Sequence, residues 1–449
     1  VSAHAGVARS DKVDDTAGAA GGAKMTNHPV MARGRRLRAI VWLCAVLALT
    51  MALAACGATS SGSSSTSSST SASGGGSAAS TTASAPASSG CGTVPALAVH
   101  DQSGVISSLG SSYSSQFNGY ATPIFKSTFS NFKPKGSPPY TVGVSVTAPI
   151  SPTQAALIPL LEKDLHAVKG VGKVVLLTSP PTGLTTQIQQ AQSLIQRHVS
   201  VLVVEPLVPQ PFIPIAAAAA KAGIPFISLI NGTPTPNSIN LGPNSVADAA
   251  TSGAHLAKMI GGKGLVLGVH GIASTGVDHE EFAGWKAAFA GCSGIKFDDS
   301  VVGAFQPAVA KAQTLAYLSS HPQPVAGVVE TAGMTAGVLQ AFQQTGRPLP
   351  VFVDAGPSVG DLVFFKSHAD KLASAFSLTP SGLANATAYT VTQLLSGHGP
   401  KISELASLSA TMNQTNLSQW IPAGATPGDQ AIVEGTWLPT SYLAPFFNK

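Results

Sequence analysis

Seven short apolar runs, TVGVSVT, KVVLLT, VSVLVV, IPFISLI, GLVLGVH, GVVET and LPVFVD, recur along the second two-thirds of the chain. They are rich in β-branched residues and lack strict polar–apolar alternation, the pattern of strands buried on both faces of a sheet. Helical segments separate them. TQIQQAQSLIQRH sets Ile188, Ala191, Gln192 and Ile195 at helical spacing, and NSVADAATSGAHLAKMIGG opens on an Asn/Ser cap and closes on two glycines. Strands alternating with helices at this spacing require parallel sheets built from right-handed crossovers, so the fold class is α/β. A helix drawn from Pro152 to Val168 carries Pro159 in its interior, where a kink is expected.

The first ninety residues obey other rules. Arg33, Arg35, Arg36 and Arg38 precede an apolar stretch from Ala39 to Ala55, slightly short for a membrane span, which reads as a secretory signal. Leu53-Ala54-Ala55-Cys56 closes it and resembles the lipobox of bacterial lipoproteins, in which the cysteine is acylated and becomes the first mature residue. From Gly57 to Gly90 the chain is Ser, Thr, Gly and Ala with one proline, a composition that reads as a tether reaching roughly 30–35 Å from the lipid. The net charge of +5 is concentrated in the signal: residues 1–55 hold seven basic and three acidic residues, which leaves +1 beyond them. Without a basic face or interleaved aromatics, no nucleic-acid partner is expected.

From Tyr140 to about Gly397 the order of elements resembles type I periplasmic binding proteins of the ribose-binding, sugar-transporter branch. The resemblance rests on AKAGIPFISLIN (220–231), HGIASTG (270–276) followed by EFAGWKAAF, AGVLQAFQQTGRP (336–348) and VFVDAGP (351–357). It implies two doubly wound parallel-sheet (Rossmann-like) lobes joined by three crossings and closing by a hinge on a small molecule. The expected organisation is a signal region 1–55, a lipidated Cys56 with its tether to 90, and an N-terminal extension 91–139. A first lobe of 140–240 plus 379–405 and a second of 241–378 plus 406–449 complete it.

Ligands of open α/β sheets sit beyond the carboxyl ends of the strands. That rule nominates Ser151, Thr153, Asn231, Thr275, His279, Phe305, Thr331 and Asp354 as ligand-binding residues, with Glu205 also at a strand end. Each has a structural reading as well: Ser151 and Asp354 as helix caps, Asn231-Gly232 as a turn, Phe305 as core. Asp278-His279-Glu280-Glu281 has the composition of a metal cluster, yet acids in a first helical turn are what the macrodipole favours, and no metal is expected. In sugar-binding members an aspartate-arginine pair follows the fourth strand, an arginine opens the helix after the fifth, and an asparagine-aspartate pair follows a later strand. Here Ile230-Asn231, Asp278 to Glu281 and Thr331-Ala332 hold those places. Arg197 and Arg347, the arginines beyond the signal, fall on the face away from the cleft, so a less polar or differently hydrogen-bonded ligand is expected.

The chain lacks a Gly-x-Ser-x-Gly elbow, a His-Glu-x-x-His helix, a phosphate loop and a Gly-x-Gly-x-x-Gly turn, which disfavours a cell-envelope enzyme. The expected role is a lipid-anchored solute-binding subunit of an ATP-binding-cassette importer. It would be a monomer without cofactor, on the outer face of the cytoplasmic membrane, partnered by a permease. The alternative is a sensory lipoprotein reporting to a membrane kinase or receptor. Cys44 leaves with the signal and Cys56 carries lipid, so Cys91 and Cys292 are expected to pair in an oxidising compartment.

Overall fold

The computed structural model describes residues 90–101 and 103–449. The signal, Cys56 and the tether up to residue 89 lie outside the described residues. Twelve strands form two six-stranded sheets. The first contains β1 (Tyr140–Thr147), β2 (Val171–Ser179), β3 (Val201–Val204), β4 (Phe226–Leu229), β5 (Ile239–Pro243) and, from late in the chain, β11 (Glu404–Ser407). The second contains β6 (Lys263–His270), β7 (Gly294–Val302), β8 (Val325–Glu330), β9 (Val351–Ala355), β10 (Leu372–Ser377) and β12 (Ala410–Met412). Their orders, β2-β1-β3-β4-β5-β11 and β7-β6-β8-β9-β10-β12, are the same pattern twice. All pairings are parallel except that of β12 with β10.

Helices cover both faces of each sheet, which is why the central strands need apolar side chains in both directions. In the first lobe Pro152–His166 and Pro380–Leu395 pack on one face, Leu184–Gln196 and Ile213–Ala222 on the other. Helix Pro152–His166 runs on through Pro159, which sits on its exposed side, and Leu157, Leu161 and Leu165 on the opposite side are buried. In the second lobe Ser245–Met259 and Gly276–Phe289 pack against each other on one face, Pro307–Ser320 and Thr335–Thr345 on the other. Helix Leu184–Gln196 buries Gln187, Ala191 and Leu194, a face rotated by one residue from the Ile188–Ile195 stripe, whose isoleucines are only partly buried.

The lobe boundaries depart from expectation at three places. β5 lies wholly in the first sheet, so the first crossing follows Pro243 rather than residue 240. The tail does not stay with the second lobe. Leu417 and Val433 enter the second lobe's core, whereas Trp437, Leu438, Leu443, Phe446 and Phe447 enter that of the first. From β1 onward the chain thus passes between lobes four times, after Pro243, Ser377, Ser407 and Val433, not three. Finally, residues 91–139 belong to both lobes. Ile106, Leu109, Phe117, Tyr120, Ile124 and Phe129 are buried in the first lobe's core, while Cys91 is disulfide-bonded to Cys292, inside the second. Between these ends the extension runs along the crossings. Asn244 Nδ2 donates to the carbonyls of Gln116 and Asn118, Leu408 N donates to Gln116 Oε1, and Tyr120 Oη donates to Glu404 at 2.8 Å.

Candidate functional site

In both sheets the strand order reverses beside the first strand of the lobe, between β1 and β3 and between β6 and β8. Those crevices are where a doubly wound sheet presents loop backbone and helix N-termini to a ligand, and the two face each other. The backbone there is unusual. Six described non-glycine residues have left-handed φ, and Ile230 (φ 63), Phe305 (φ 58) and Ala332 (φ 49) are three of them, each just beyond a strand and each lining one interlobe cavity. A β-branched residue in this region costs on the order of 1–3 kcal/mol and persists only where its surroundings enforce it. Gly242 supplies part of the enforcement: Ile230 N donates to Leu241 O at 2.9 Å, and a Cβ on Gly242 would come within 2.6 Å of Ile230 O. Gly271 does the same for Phe305, since a Cβ there would come within 1.9 Å of the phenyl ring's Cε1.

The empty space at the cavity, open solvent at its mouth included, comes to about 740 Å³. Ile150, Leu207, Ile230, Val277, Phe305, Phe376 and Leu378 make its walls largely apolar. Three acids interrupt them: Glu205 from the end of β3, Asp248 from helix Ser245–Met259, and Glu281 from helix Gly276–Phe289. All three are buried, at 1%, 5% and 4% exposure. Gln154 Nε2 donates to Glu205 Oε1 at 2.6 Å, which leaves Glu205 Oε2 without a partner. Burial pushes Glu205 up to about 7 against the opposing effect of Gln154. Asp248 is likewise raised to about 7 by burial, although both its oxygens accept from Ser409 N at 3.1 Å. Glu281 stands well above the usual carboxylate range because it is buried and because Asp278, Glu330, Asp248 and Glu280 are all acids. Its Oε2 has no partner either.

Five of the eight nominated residues meet here. Ser151, Thr153, Asn231, Thr275 and Phe305 line the cavity. Ser151 also caps its helix, its Oγ accepting from Gln154 N at 3.3 Å, so the two readings of this residue coexist. Asn231 spans the lobes. Its Nδ2 donates to Pro206 O at 2.9 Å, and its Oδ1 accepts from Val277 N of the second lobe at 3.0 Å.

The other three are elsewhere. His279 is exposed and borders a neighbouring hollow, formed with Ala121, Thr122 and Pro123 of the extension. Thr331 turns into the second lobe, where its Oγ1 donates to Asp278 Oδ1 at 3.2 Å. That carboxylate also accepts from Gly271 N and pairs with His270 Nδ1, both at 2.7 Å, so Asp278 holds up the loop after β6. Asp354 is completely buried within β9, and neither of its oxygens has a hydrogen-bond partner. Burial, with Asp361 and Glu330 adding like charge, holds Asp354 well above the usual range. Glu330 accepts from Met334 N at 2.8 Å and Thr335 Oγ1 at 3.0 Å, bonds that favour its charged form and that Asp354 lacks. β9 runs one residue beyond Asp354, and Ala355 and Gly356 line the cavity in its stead.

Gln154, Asp248, Glu281 and Ser409 were not nominated as ligand residues, because each sits on a helix or a crossing and not at a strand end. Asp248 is an acid among Val246, Ala249 and Ala250, but it stands in the first turn of its helix, where the macrodipole favours an acid, so the sequence carries no separate signal for a ligand there. Arg347 donates to the carbonyls of Leu318, His321, Pro322 and Gln323, far from the cleft, and none of the cavity-lining residues is Lys, Arg or His.

Residues 162–399, more than half of the chain, match the family described as "Periplasmic binding protein domain". No match was found among curated proteins. Among solved structures the fold is similar to an ABC transporter solute-binding protein from Thermobispora bispora, at 20% identity and TM-score 0.60, covering 68% of this chain and 94% of that one. It is similar to a solute-binding protein from Bacillus halodurans with bound myo-inositol, at 15% identity and TM-score 0.56, covering 64% and 98%. The fructose-binding periplasmic domain of a hybrid two-component system matches at 19% identity and TM-score 0.54, covering 62% and 92%. Paired doubly wound lobes facing one cavity across four crossings, together with the family match, lead to one assignment: the chain belongs to the periplasmic binding protein family, type I.

Proposed function

We propose that the protein is a lipid-anchored solute-binding subunit of an ATP-binding-cassette importer, held by Cys56 on the outer face of the cytoplasmic membrane. It captures a small molecule between its lobes and presents the closed form to a permease. The observation that carries the reading is the interlobe cavity itself, lined from both sheets and bridged by the Asn231–Val277 bond. The work done is binding and hinge closure, without chemistry on the ligand. The tether lets the folded part reach a permease in the same membrane.

Similarity to the binding domain of a two-component system supports a second reading, in which the loaded form signals to a membrane receptor. Both share the capture step. Native mass spectrometry of the protein as purified from its own membrane tests that step. One small molecule per chain is expected; a bare chain that also ignores an extract of the host's metabolites contradicts it. Deletion of a neighbouring permease then separates the two, since it abolishes uptake in the first reading and leaves signalling intact in the second.

A further inference from the structure

The cavity asks for one kind of chemistry, and the chain supplies none of it. Glu205 Oε2 and Glu281 Oε2 are buried acceptors without a donor, one from each lobe, and both residues line the same cavity. A buried carboxylate oxygen that accepts nothing forgoes the hydrogen bonds it made to water, a cost that a donor from the ligand would offset. The second lobe adds Asp248, a third acid on the cavity, whose oxygens are engaged by Ser409 N. Opposite them no basic side chain lines the cavity. The nearest histidine network, His270 with Asp278 and Asp299, is closed on itself, and Lys286 is spent on Asp299 at 2.8 Å. Hinge closure brings Glu205 of the first lobe against Asp248 and Glu281 of the second, and acids so placed disfavour one another's charged form unless the solute brings the counter-charge.

The geometry points to a solute that carries a protonated amine on an apolar body, its ammonium hydrogens given to Glu205 Oε2 and Glu281 Oε2. This rests on the solute-binding reading above. An ammonium has three donors and one positive charge, which matches two orphaned oxygens and a surplus of acid better than a hydroxyl does. The apolar body is accommodated by Ile150, Leu207, Val277 and Leu378, with the Phe305 ring as one wall. A ligand with its own carboxylate or phosphate is disfavoured on the same grounds, because no guanidinium or ammonium waits for it.

Matched pairs of compounds that differ only in the charged group test this at pH 7.5. Titration calorimetry and thermal shift of the full chain would compare cyclohexylmethylamine with cyclohexylmethanol, and D-glucosamine with D-glucose. The amine of a pair is expected to bind at least tenfold more tightly than its alcohol. Glu205→Gln and Glu281→Gln, both isosteric, are each expected to erase that preference while circular dichroism stays unchanged. Equal or tighter binding of the alcohols, silence from all four compounds, or an amine preference untouched by both substitutions overturns the amine assignment. A neutral solute found at one per chain by native mass spectrometry also overturns it but leaves the solute-binding reading standing; only a protein that holds no solute at all removes both.

Discussion

Val277 N of the second lobe donates a 3.0 Å hydrogen bond to Asn231 Oδ1 of the first, so a side chain at the end of β4 holds the opening turn of a helix across the cleft. The same asparagine is fixed from behind by Pro206 O. It is therefore positioned before closure and paired by it. Asn231→Ala should destabilise the closed arrangement by about 1 kcal/mol, the cost of leaving the Val277 amide unpaired in a partly buried place. Solution scattering of the variant would show the lobes farther apart on average; a curve superimposable on that of the parent would mean the bond does not contribute to closure.

The disulfide and the extension act on the same hinge. Cys91 is joined to Cys292 in the second lobe, whereas Phe117, Ile124 and Phe129 are anchored in the first. The bond closes a sequence separation of 201 residues and should contribute roughly 2–4 kcal/mol. Reduction should lower the melting temperature and widen the range of lobe separations in solution. Two free thiols on alkylation of the denatured, unreduced protein would refute the bond.

Acid should stabilise this protein relative to neutral pH. Glu205, which faces Gln154, Asp248, which faces Ser409 and Glu281, and Glu404, which faces Tyr120, Asn240, Ser403 and Glu280, are all raised to about 7 by burial. A carboxyl raised in the folded state binds its proton more tightly there than in the unfolded chain, so the folded form is favoured at low pH. Stability should fall as pH rises from about 4.5 through 7 and continue to fall to pH 8, as Glu280, raised to about 8, and Glu281 and Asp354, held well above the usual range, lose their protons, with a summed loss on the order of several kcal/mol. Urea midpoints at pH 5.0, 6.0, 7.0 and 8.0 give the slope; a rise across that interval contradicts the assignment. Glu205→Gln should flatten the curve.

Asp354 separates a site residue from a buried one. Since burial and the neighbouring acids favour its neutral form and it lies within β9 beside Glu330, Asp354→Asn should leave solute affinity within about twofold and stability at pH 8 unchanged or raised. A tenfold loss of affinity in calorimetry would return Asp354 to the binding site.

The same residue shows what could be read from the sequence and what could not. The strand-end rule nominates both Glu205 and Asp354, and only the first faces the cavity, because β3 stops at Val204 while β9 continues one residue past Asp354. With side chains alternating along a strand, a difference of one residue reverses which way the acid points. Strands β1, β3, β4, β6, β8 and β9 are legible because their neighbours on both sides force apolar side chains. β7, GIKFDDSVV, is a polar edge strand and carries no such pattern. β11 and β12 are short strands lent by the tail, so only tertiary pairing makes them strands at all. Half of the extension's double attachment is legible, in the expected Cys91–Cys292 pair; the other half is not, because its apolar residues announce a core but not which of two cores.

The central claim is that the two lobes close on a solute held at this cavity. Small-angle scattering on one preparation tests it most directly, with the co-purified solute first stripped by mild denaturant and then restored. The account predicts a smaller radius of gyration on restoration, and loss of that change in the Glu205→Gln, Glu281→Gln double variant. Identical curves for stripped and restored protein, or a compaction that persists in the double variant, would contradict it.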